Sequence, residues 1–272
     1  MEQKKVMLSV ALAVYNEEEN LGACLETIKD IADEIVIVDG TSSDRTVEIA
    51  KSYGATVIVE ENRTNFHINK QHAIDACHGS WILQLDADER VSSMLGKEIR
   101  GIVDGDQTGK PAAYYLRRRN YFLGRWITKG GMYPDPVIRL FQKGKARLPQ
   151  ANIHELMTVD GGTQWLAEDL LHIADPTFAR YLRRSNRYTT LQASDWLTEG
   201  DIGIDTTTIL LYTIWKPFVR FVEIYLRHRG YVDGFPGFVF AVYSGIHIRS
   251  SYIKYWEKKV TNTSIDITSD WN

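Results

Sequence analysis

Cysteine is scarce in this sequence. Cys24 and Cys77 are the only two among 272 residues, which excludes a disulfide scaffold and any four-cysteine zinc site. Both fall on helical patterns, as thiols of a reducing cytosol do. A strong charge of one sign is missing too. The 32 basic and 35 acidic residues leave a net charge of −3 and a pI near 6.2, so nucleic-acid binding, which asks for a strongly basic domain, is not expected. No run of about 18 apolar residues occurs, and no membrane-spanning helix is expected. The longest charge-free stretch, 234–248, is broken by Pro236, Gly237 and Gly245. The apolar segment Val6 to Val14 is too short for a secretory signal. Internal repeats and low-complexity tracts are absent. So are the glycine signatures that cradle phosphate: no G-x-G-x-x-G follows the first strand, and no G-x-x-x-x-G-K-[ST] occurs anywhere.

What is present is an ordinary globular composition, 44% hydrophobic and 25% charged. A chain of this length suits one large domain, or one domain with an appendage. It can bury about three quarters of its unfolded surface without a staple.

The first 90 residues alternate between two periodicities. Met7–Val14, Ile35–Asp39, Ala55–Val59 and Trp81–Asp86 read as buried strands. Between them, Leu21, Cys24, Leu25 and Ile28 follow helical spacing, as do Val47, Ala50 and Tyr53, and then the segment from Ile68 to Cys77. Asn16 with Glu19 makes a capping box for the first helix. Ser42 or Ser43 can cap the second, and Gly54 and Gly79 stop the second and third. Strands alternating with helices predict βαβ units and a mostly parallel sheet. Such sheets bind ligands beyond the carboxyl ends of their strands. Further on, Ala113–Phe122 and Val137–Phe141 read as strands. The loop between them, Gly124 to Pro136, is rich in Gly, Pro, Lys and Arg and suits a substrate-binding element.

Acids sit where the ligand is expected. Asp39 closes the second strand, and Asp86 and Asp88 close the fourth, in Leu85-Asp86-Ala87-Asp88-Glu89. Residues i and i+2 of an extended segment point to one side. Two carboxylates that close repel each other and call for a cation to share. Oxygen ligands of this kind select Mg²⁺ or Mn²⁺, which keeps positions for water and substrate phosphates. The turn after the first strand, Ala13-Val14-Tyr15-Asn16-Glu17-Glu18, is poor in glycine and acidic. It would repel a bare diphosphate, so the metal must supply the neutralisation.

Three ordered motifs now stand together: Ala13-Val14-Tyr15-Asn16-Glu17, Val38-Asp39-Gly40-Thr41-Ser42-Ser43-Asp44-Arg45-Thr46 and Leu85-Asp86-Ala87-Asp88-Glu89. Over roughly residues 6–110 the chain resembles the family 2 glycosyltransferases of the GT-A fold. Tyr133-Pro134-Asp135, Arg139-Leu140-Phe141, His154-Glu155 and Gly230-Tyr231-Val232-Asp233-Gly234 extend the resemblance to the lipopolysaccharide-core β-glucosyltransferases of that family. The resemblance implies a Rossmann-like α/β sheet with flanking helices, a nucleotide-sugar donor and inversion at the anomeric carbon. Ala13, Val14, Tyr15 and Glu17 would cradle base and ribose, and Asp39 would accept from the base N–H. Asp86, with Ala87 beside it, would hold the ribose or a metal-bound water. Asp88 would bind the metal on the diphosphate, and Lys70 fits a nucleotide or phosphate contact. Where many relatives have a second Asp after Asp39, this chain has Gly40, which leaves the choice of base open.

Inversion needs one general base for the acceptor hydroxyl. Glu155 ranks first because it follows the acceptor loop. Asp135 is second, and Asp169, in an Glu168-Asp169 pair of the kind relatives use, is third. His154 or His172 can complete the metal coordination. Lys129, Arg139 and Arg125 can hold phosphate or an anionic acceptor.

From Thr177 the sequence turns helical, aromatic and basic. Residues 177–260 carry 12 basic and 7 acidic side chains, against 20 and 26 in residues 1–176. Thirteen of the 30 aromatic residues lie between Tyr212 and Trp256. Tyr212, Trp215, Phe218, Val219, Val222 and Leu226 can share a helical face flanked by Lys216, Arg220 and Arg227, with Pro217 kinking or starting the helix. A basic aromatic helix too polar to span a bilayer reads as an interfacial element. Its alternative is a packing surface for the sheet or for a second copy.

The sequence therefore predicts a catalytic domain over 1–176, a C-terminal amphipathic helical extension over 177–260 and a polar tail over 261–272. The expected protein is an inverting, metal-dependent glycosyltransferase, peripheral at the cytoplasmic face of a bacterial inner membrane through 206–258. A UDP-hexose is the favoured donor, the acceptor is a glycan or glycolipid, and a homodimer is possible. Two rival functions fit less well. A sugar nucleotidyltransferase would want a glycine-rich, basic first turn, the opposite of Tyr15-Asn16-Glu17. A non-catalytic membrane-associated scaffold would have no use for the acidic set.

Overall fold

The structure is a computed structural model that describes residues 6–63, 65–149, 156–200 and 202–263. In chain order its elements begin β1 (Leu8–Val14), α1 (Leu21–Ile28), β2 (Glu34–Asp39), α2 (Thr46–Ser52), β3 (Thr56–Val59), α3 (Phe66–Ala76) and β4 (Trp81–Leu85). They continue through β5 (Glu89–Arg90), α4 (Ser93–Asp104), β6 (Ala113–Phe122), β7 (Arg125–Trp126), β8 (Asp135–Gln142), β9 (Ala146–Arg147), β10 (Thr158–Val159), β11 (Thr163–Trp165) and β12 (Leu170–Asp175). Two compact units emerge: Met1–Arg118 with Asp135–His172, and Arg119–Pro134 with Ile173–Asn272. The Gly-rich loop between β6 and β8 thus groups with the helical unit and not with the sheet.

In the first unit the sheet runs β3-β2-β1-β4-β8-β6-β12-β5. The strands β3, β2, β1 and β4 are parallel. β8 then runs antiparallel to β4, β6 antiparallel to β8, and β12 antiparallel to β5. This is the mixed α/β sheet with flanking helices that the sequence predicts. β1 is apolar on both faces but for Ser9, whose hydroxyl is satisfied by Glu34 and the Gly79 N–H, because both of its faces are covered. Leu8, Val10, Leu12 and Val14 pack with Leu21, Leu25 and Ile28 of α1 and Ile99 of α4. Ala11, Val36 and Val38 face the other way, onto Ala73 and Ile74 of α3.

The parallel register brings the strand ends level. Val14 lies opposite Asp39, Asp39 opposite Val59, and Leu12 opposite Leu85. Asp39 and Asp86 therefore leave the sheet at the same edge, one on each side of β1.

Two helix starts differ from expectation. Asn16 does not cap α1, whose N-cap is Asn20. Asn16 has φ +50°, its Oδ1 accepts from the Ser43 N–H at 2.8 Å, and its own N–H donates to Ser42 Oγ at 2.9 Å. It ties the loop after β1 to the loop after β2. Ser42 is thereby occupied, and Asp44 Oδ1 accepts the Thr46 N–H at 2.9 Å at the head of α2.

A register shift between β6 and β8 sets Tyr114 opposite Leu140 but Tyr115 opposite Ile138. Arg139 is the extra residue of that bulge, a device that bends a strand and re-aims a side chain.

In the second unit, the end of β6 pairs with β7, Tyr121 opposite Trp126. α5 (Phe178–Glu199) is capped by Thr177, whose Oγ1 accepts from Arg180 N–H. After the Asp205 cap, one helical segment runs through α6 (Thr206–Leu210), a π-helical Leu211–Trp215, α7 (Lys216–Val222) and a π-helical Glu223–Arg227. Pro217 falls inside this continuous segment, and the Thr213 carbonyl, four residues before it, accepts instead from Arg249 at 2.8 Å. A 3₁₀ turn, Gly230–Asp233, leads into α8 (Gly234–Thr261). α8 returns along the 206–227 segment so closely that a Cβ on Gly245 would lie 2.6 Å from the Pro217 carbonyl oxygen. Tyr212, expected on the outward face with Trp215, turns in and stacks on Tyr252 at 4.8 Å.

Candidate active site

The first part of the site is the Asp39 edge. Asp39 is 1% exposed. Its Oδ2 accepts the Ser42 N–H at 2.9 Å, and its Oδ1 has no hydrogen-bond partner among the described residues. A buried carboxylate oxygen without a donor is costly, and an incoming N–H would relieve it. Ala13, Val14, Tyr15 and Glu17 run alongside. The Val14 carbonyl accepts the Gly40 N–H at 2.8 Å. The Glu17 N–H donates to Thr46 Oγ1 at 2.8 Å and its carboxylate accepts from Asn20 at 2.6 Å, so this turn is held rigid by its own acids and hydroxyls. Gly40 has a packing reason. A Cβ there would meet Asn62 at 3.1 Å, so a second Asp would fit only if Asn62 gave way by a few tenths of an ångström.

The second part is a chain of charges, buried at Arg139 and Glu89 and half-buried at its ends. Asp86 Oδ1 meets Lys70 Nζ, and Asp86 Oδ2 meets Arg139 Nη2 at 2.7 Å. Arg139 continues to Glu89 Oε1 at 2.8 Å and to Gln84 Oε1. Glu89, with no exposed surface, lies 3.6 Å from Arg118, and Arg118 holds Asp135 Oδ2 at 2.7 Å. The second oxygen of Glu89 accepts the Asp86 N–H at 2.9 Å. Burial would raise the Asp86 carboxyl, but Arg139 and Lys70 outweigh it and hold Asp86 well below the usual carboxylate range. Burial would likewise weaken the Arg139 guanidinium, and Asp86 and Glu89 reverse that and raise it. With each Asp86 oxygen facing a cation, Asp86 is already neutralised, and it is an acceptor for a hydroxyl more than a metal ligand.

Asp88 is different. The turn places Ala87 in the core, and Arg90 staples that turn to α1 by donating to the Ala87 and Asn20 carbonyls at 2.7 and 3.0 Å. His172 lies opposite Glu89 in the β12–β5 register. Its Nε2 comes within 3.5 Å of Asp88 Oδ2. A carboxylate and an imidazole facing each other at a strand edge form a donor pair suited to Mn²⁺ or Mg²⁺ when phosphate oxygens complete the shell. No group of three or more His, Cys, Asp or Glu able to hold a metal occurs among the described residues, so the protein alone supplies a partial ligand set. Residues and ion fit on those terms.

Several predicted residues fall elsewhere. Arg139, expected to hold phosphate or acceptor, is buried and already engaged by two carboxylates; its part is to position Asp86. Asp169 pairs with Arg117 at 2.9 Å. Arg117 and Arg118 are successive residues of β6 and point to opposite faces, so Asp169 stands across the sheet from the Asp86 network and does not share it. Asp135 does share it, through Arg118. His154 and Glu155 lie outside the described residues. Lys129 and Arg125 belong to the second unit, where both are exposed. Sequence reasoning missed Glu89, Arg118 and Gln84 as structural partners of Asp86. The available signal was a charged Arg139 inside the apolar run Val137–Phe141.

The model of the glycosyl transferase family 2 matches residues 9–166, more than half of the chain. The chain belongs to glycosyltransferase family 2. It is a glycosyltransferase. It is similar to the lipopolysaccharide core biosynthesis glycosyltransferase LpsC of Rhizobium meliloti (strain 1021), 26% identical over 260 residues that cover 93% of each chain. It is also 26% identical over 241 residues to an uncharacterised glycosyltransferase of Rickettsia typhi, covering 85% of this chain and 80% of that one. Among solved structures, S. aureus TarS 1–349 in complex with UDP superposes with a TM-score of 0.45 at 14% identity, over 94% of this chain and 92% of that one.

Proposed function

We propose that this glycosyltransferase moves a hexose from a nucleoside-diphosphate sugar, UDP-hexose favoured, with inversion, onto a lipid-linked or lipopolysaccharide-type saccharide. The observation that carries the donor half is the buried Oδ1 of Asp39, without a partner among the described residues and at the same end of the sheet as Asp86 and Asp88. An oxygen that can only accept is matched by the ring N–H of uracil. Asp86, ionised by Arg139 and Lys70, accepts a ribose hydroxyl. Asp88 with His172 would hold a Mn²⁺ or Mg²⁺ ion, which supplies the positive charge that stabilises the departing diphosphate. The acidic Glu17-Glu18 turn makes that charge necessary. The acceptor half rests on LpsC, whose similarity runs through the C-terminal helices as well.

The proton of the acceptor hydroxyl goes to a carboxylate. Glu155 is the first candidate from the sequence, and Asp135, joined to the Asp86 network, is the second. The catalytic part is 1–176, and 177–260 attaches the enzyme as a peripheral protein at the cytoplasmic face of the membrane, or pairs it with a second copy. No helix among the described residues is long and apolar enough to span.

The test is release of nucleoside diphosphate from a panel of UDP-, GDP-, ADP- and dTDP-sugars, with a lipid A-core acceptor. We expect turnover with a UDP-hexose. Replacing the base (Glu155→Gln or Asp135→Asn) should lower kcat by about 10²- to 10⁴-fold with little change in donor KM. Pyrophosphate release from a nucleoside triphosphate plus sugar phosphate, with no transfer from any donor, would overturn the reading.

A further inference from the structure

Within the helical unit, residues far apart in sequence meet at one end of a helical hairpin. The 206–227 segment and α8 run antiparallel, with Arg249 donating to the Thr213 carbonyl at 2.8 Å and Gly245 against Pro217. The connection between them exposes apolar side chains: Leu226 at 56%, Tyr231 at 48%, Val232 at 42% and Phe235 at 72%. Ile214, Trp215 and Phe218, each more than half exposed, continue the apolar surface along the hairpin.

The rim of this tip is cationic. Arg227 and Arg229 are exposed beside it. The loop carrying Arg125 and Lys129, more than 100 residues earlier, is latched to it. Asp233 is fully buried. Its Oδ1 accepts from the Thr128 N–H and hydroxyl at 3.0 and 2.8 Å, and its Oδ2 from the Lys129 N–H at 2.9 Å. The Gly130 N–H donates to the His228 carbonyl at 2.9 Å, and Arg125 reaches the Val232 carbonyl at 3.4 Å. The acids nearby are spent: Asp233 inside the latch, and Glu223 on Arg220 at 2.8 Å.

We propose that this tip docks on an anionic lipid bilayer. Leu226, Tyr231, Val232 and Phe235 enter the boundary between headgroups and acyl chains, and Arg125, Lys129, Arg227 and Arg229 bind lipid phosphates. Apolar side chains ringed by Lys and Arg are the composition of an interfacial anchor. A second copy of the chain fits less well, because a two-fold contact would set the same cationic rim against itself. The inference rests on the proposal of a lipid-linked acceptor, which it deepens by naming the surface and by assigning Arg125 and Lys129 to lipid in place of the acceptor.

The experiment is co-sedimentation of the full chain with phosphatidylcholine vesicles and with mixed phosphatidylcholine–phosphatidylglycerol vesicles, at low and high salt. The protein should pellet with the anionic vesicles and be released by salt. Each of Arg125→Gln, Lys129→Gln, Arg227→Gln and Arg229→Gln should weaken partitioning about fivefold. Phe235→Ser should weaken it at both salt levels. UDP binding by the Phe235→Ser and Arg229→Gln variants reports an intact fold and stands apart from lipid binding, so loss of one does not imply loss of the other. A wild-type protein that stays in the supernatant overturns the proposal, as does unchanged binding by the variants. A dimer that Phe235→Ser dissociates, without lipid binding by the wild type, assigns the tip to a second copy and overturns it too.

Discussion

Arg139 shows how much one side chain can set. It is buried between Asp86 and Glu89, and removing it leaves the buried Glu89 with only Arg118, 3.6 Å away, and Asp86 with only Lys70. Arg139→Ala should destabilise the chain by about 3–5 kcal/mol, read by urea unfolding, and weaken donor binding. The pH dependence follows from the Asp86 shift. A carboxyl held below its unfolded value adds stability that is fully present above about pH 4 and is lost as pH falls through the folded value. In Asp86→Asn the acid loss of stability should be shallower than in wild type, and an identical acid limb would contradict the pairing. Burial pushes both Cys24 and Cys77 up to about 12, so neither should react with a thiol dye until the protein is unfolded. The three acidic motifs could be read because each is a local pattern at a strand end, whereas the side chains that meet Asp86 and Asp88, Arg139 and His172, come from strands far along the chain. Asn16 was misjudged because a positive φ is invisible in a residue string. The pairing of Gly40 with Asn62 needs two loops to be folded before it exists.

Elements tell the same story at longer range. β1 to β4 and α1 to α3 could be read from periodicity, since each is a local pattern with its own stop. The bulge that aims Arg139 could not, because a bulge is a relation between β6 and β8. The Asp233 latch joins residues 105 apart in sequence. It is expected to matter locally. Asp233→Ala, which strips Thr128 and Lys129 of their acceptor, should cost on the order of 2–4 kcal/mol and raise amide exchange in 124–134. The close approach of Gly245 to Pro217 makes a second case. Gly245→Val forces the two helices apart and should speed exchange across 206–261 while the strands 8–14 stay protected. Equal protection in both variants would show that these contacts do not hold the unit together.

For the whole molecule, charge divides as the sequence does. The first 176 residues are acidic and residues 177–260 are basic, yet the cations at the apolar tip come from both parts, Arg125 and Lys129 from the first and Arg227 and Arg229 from the second. The family was legible from residues 6–110 alone, because the three acidic motifs that mark it sit at the ends of local, periodic strands. The acceptor was not, since acceptor recognition depends on loops whose sequence follows no periodicity and whose partners are distant. The most direct measurement of the central claim is calorimetric titration of UDP into the wild type and Asp88→Asn, each with and without Mn²⁺. UDP binding should need the metal in the wild type and be lost in the variant with the fold intact. Equal binding by both proteins, or binding indifferent to Mn²⁺, would contradict the role given to Asp88.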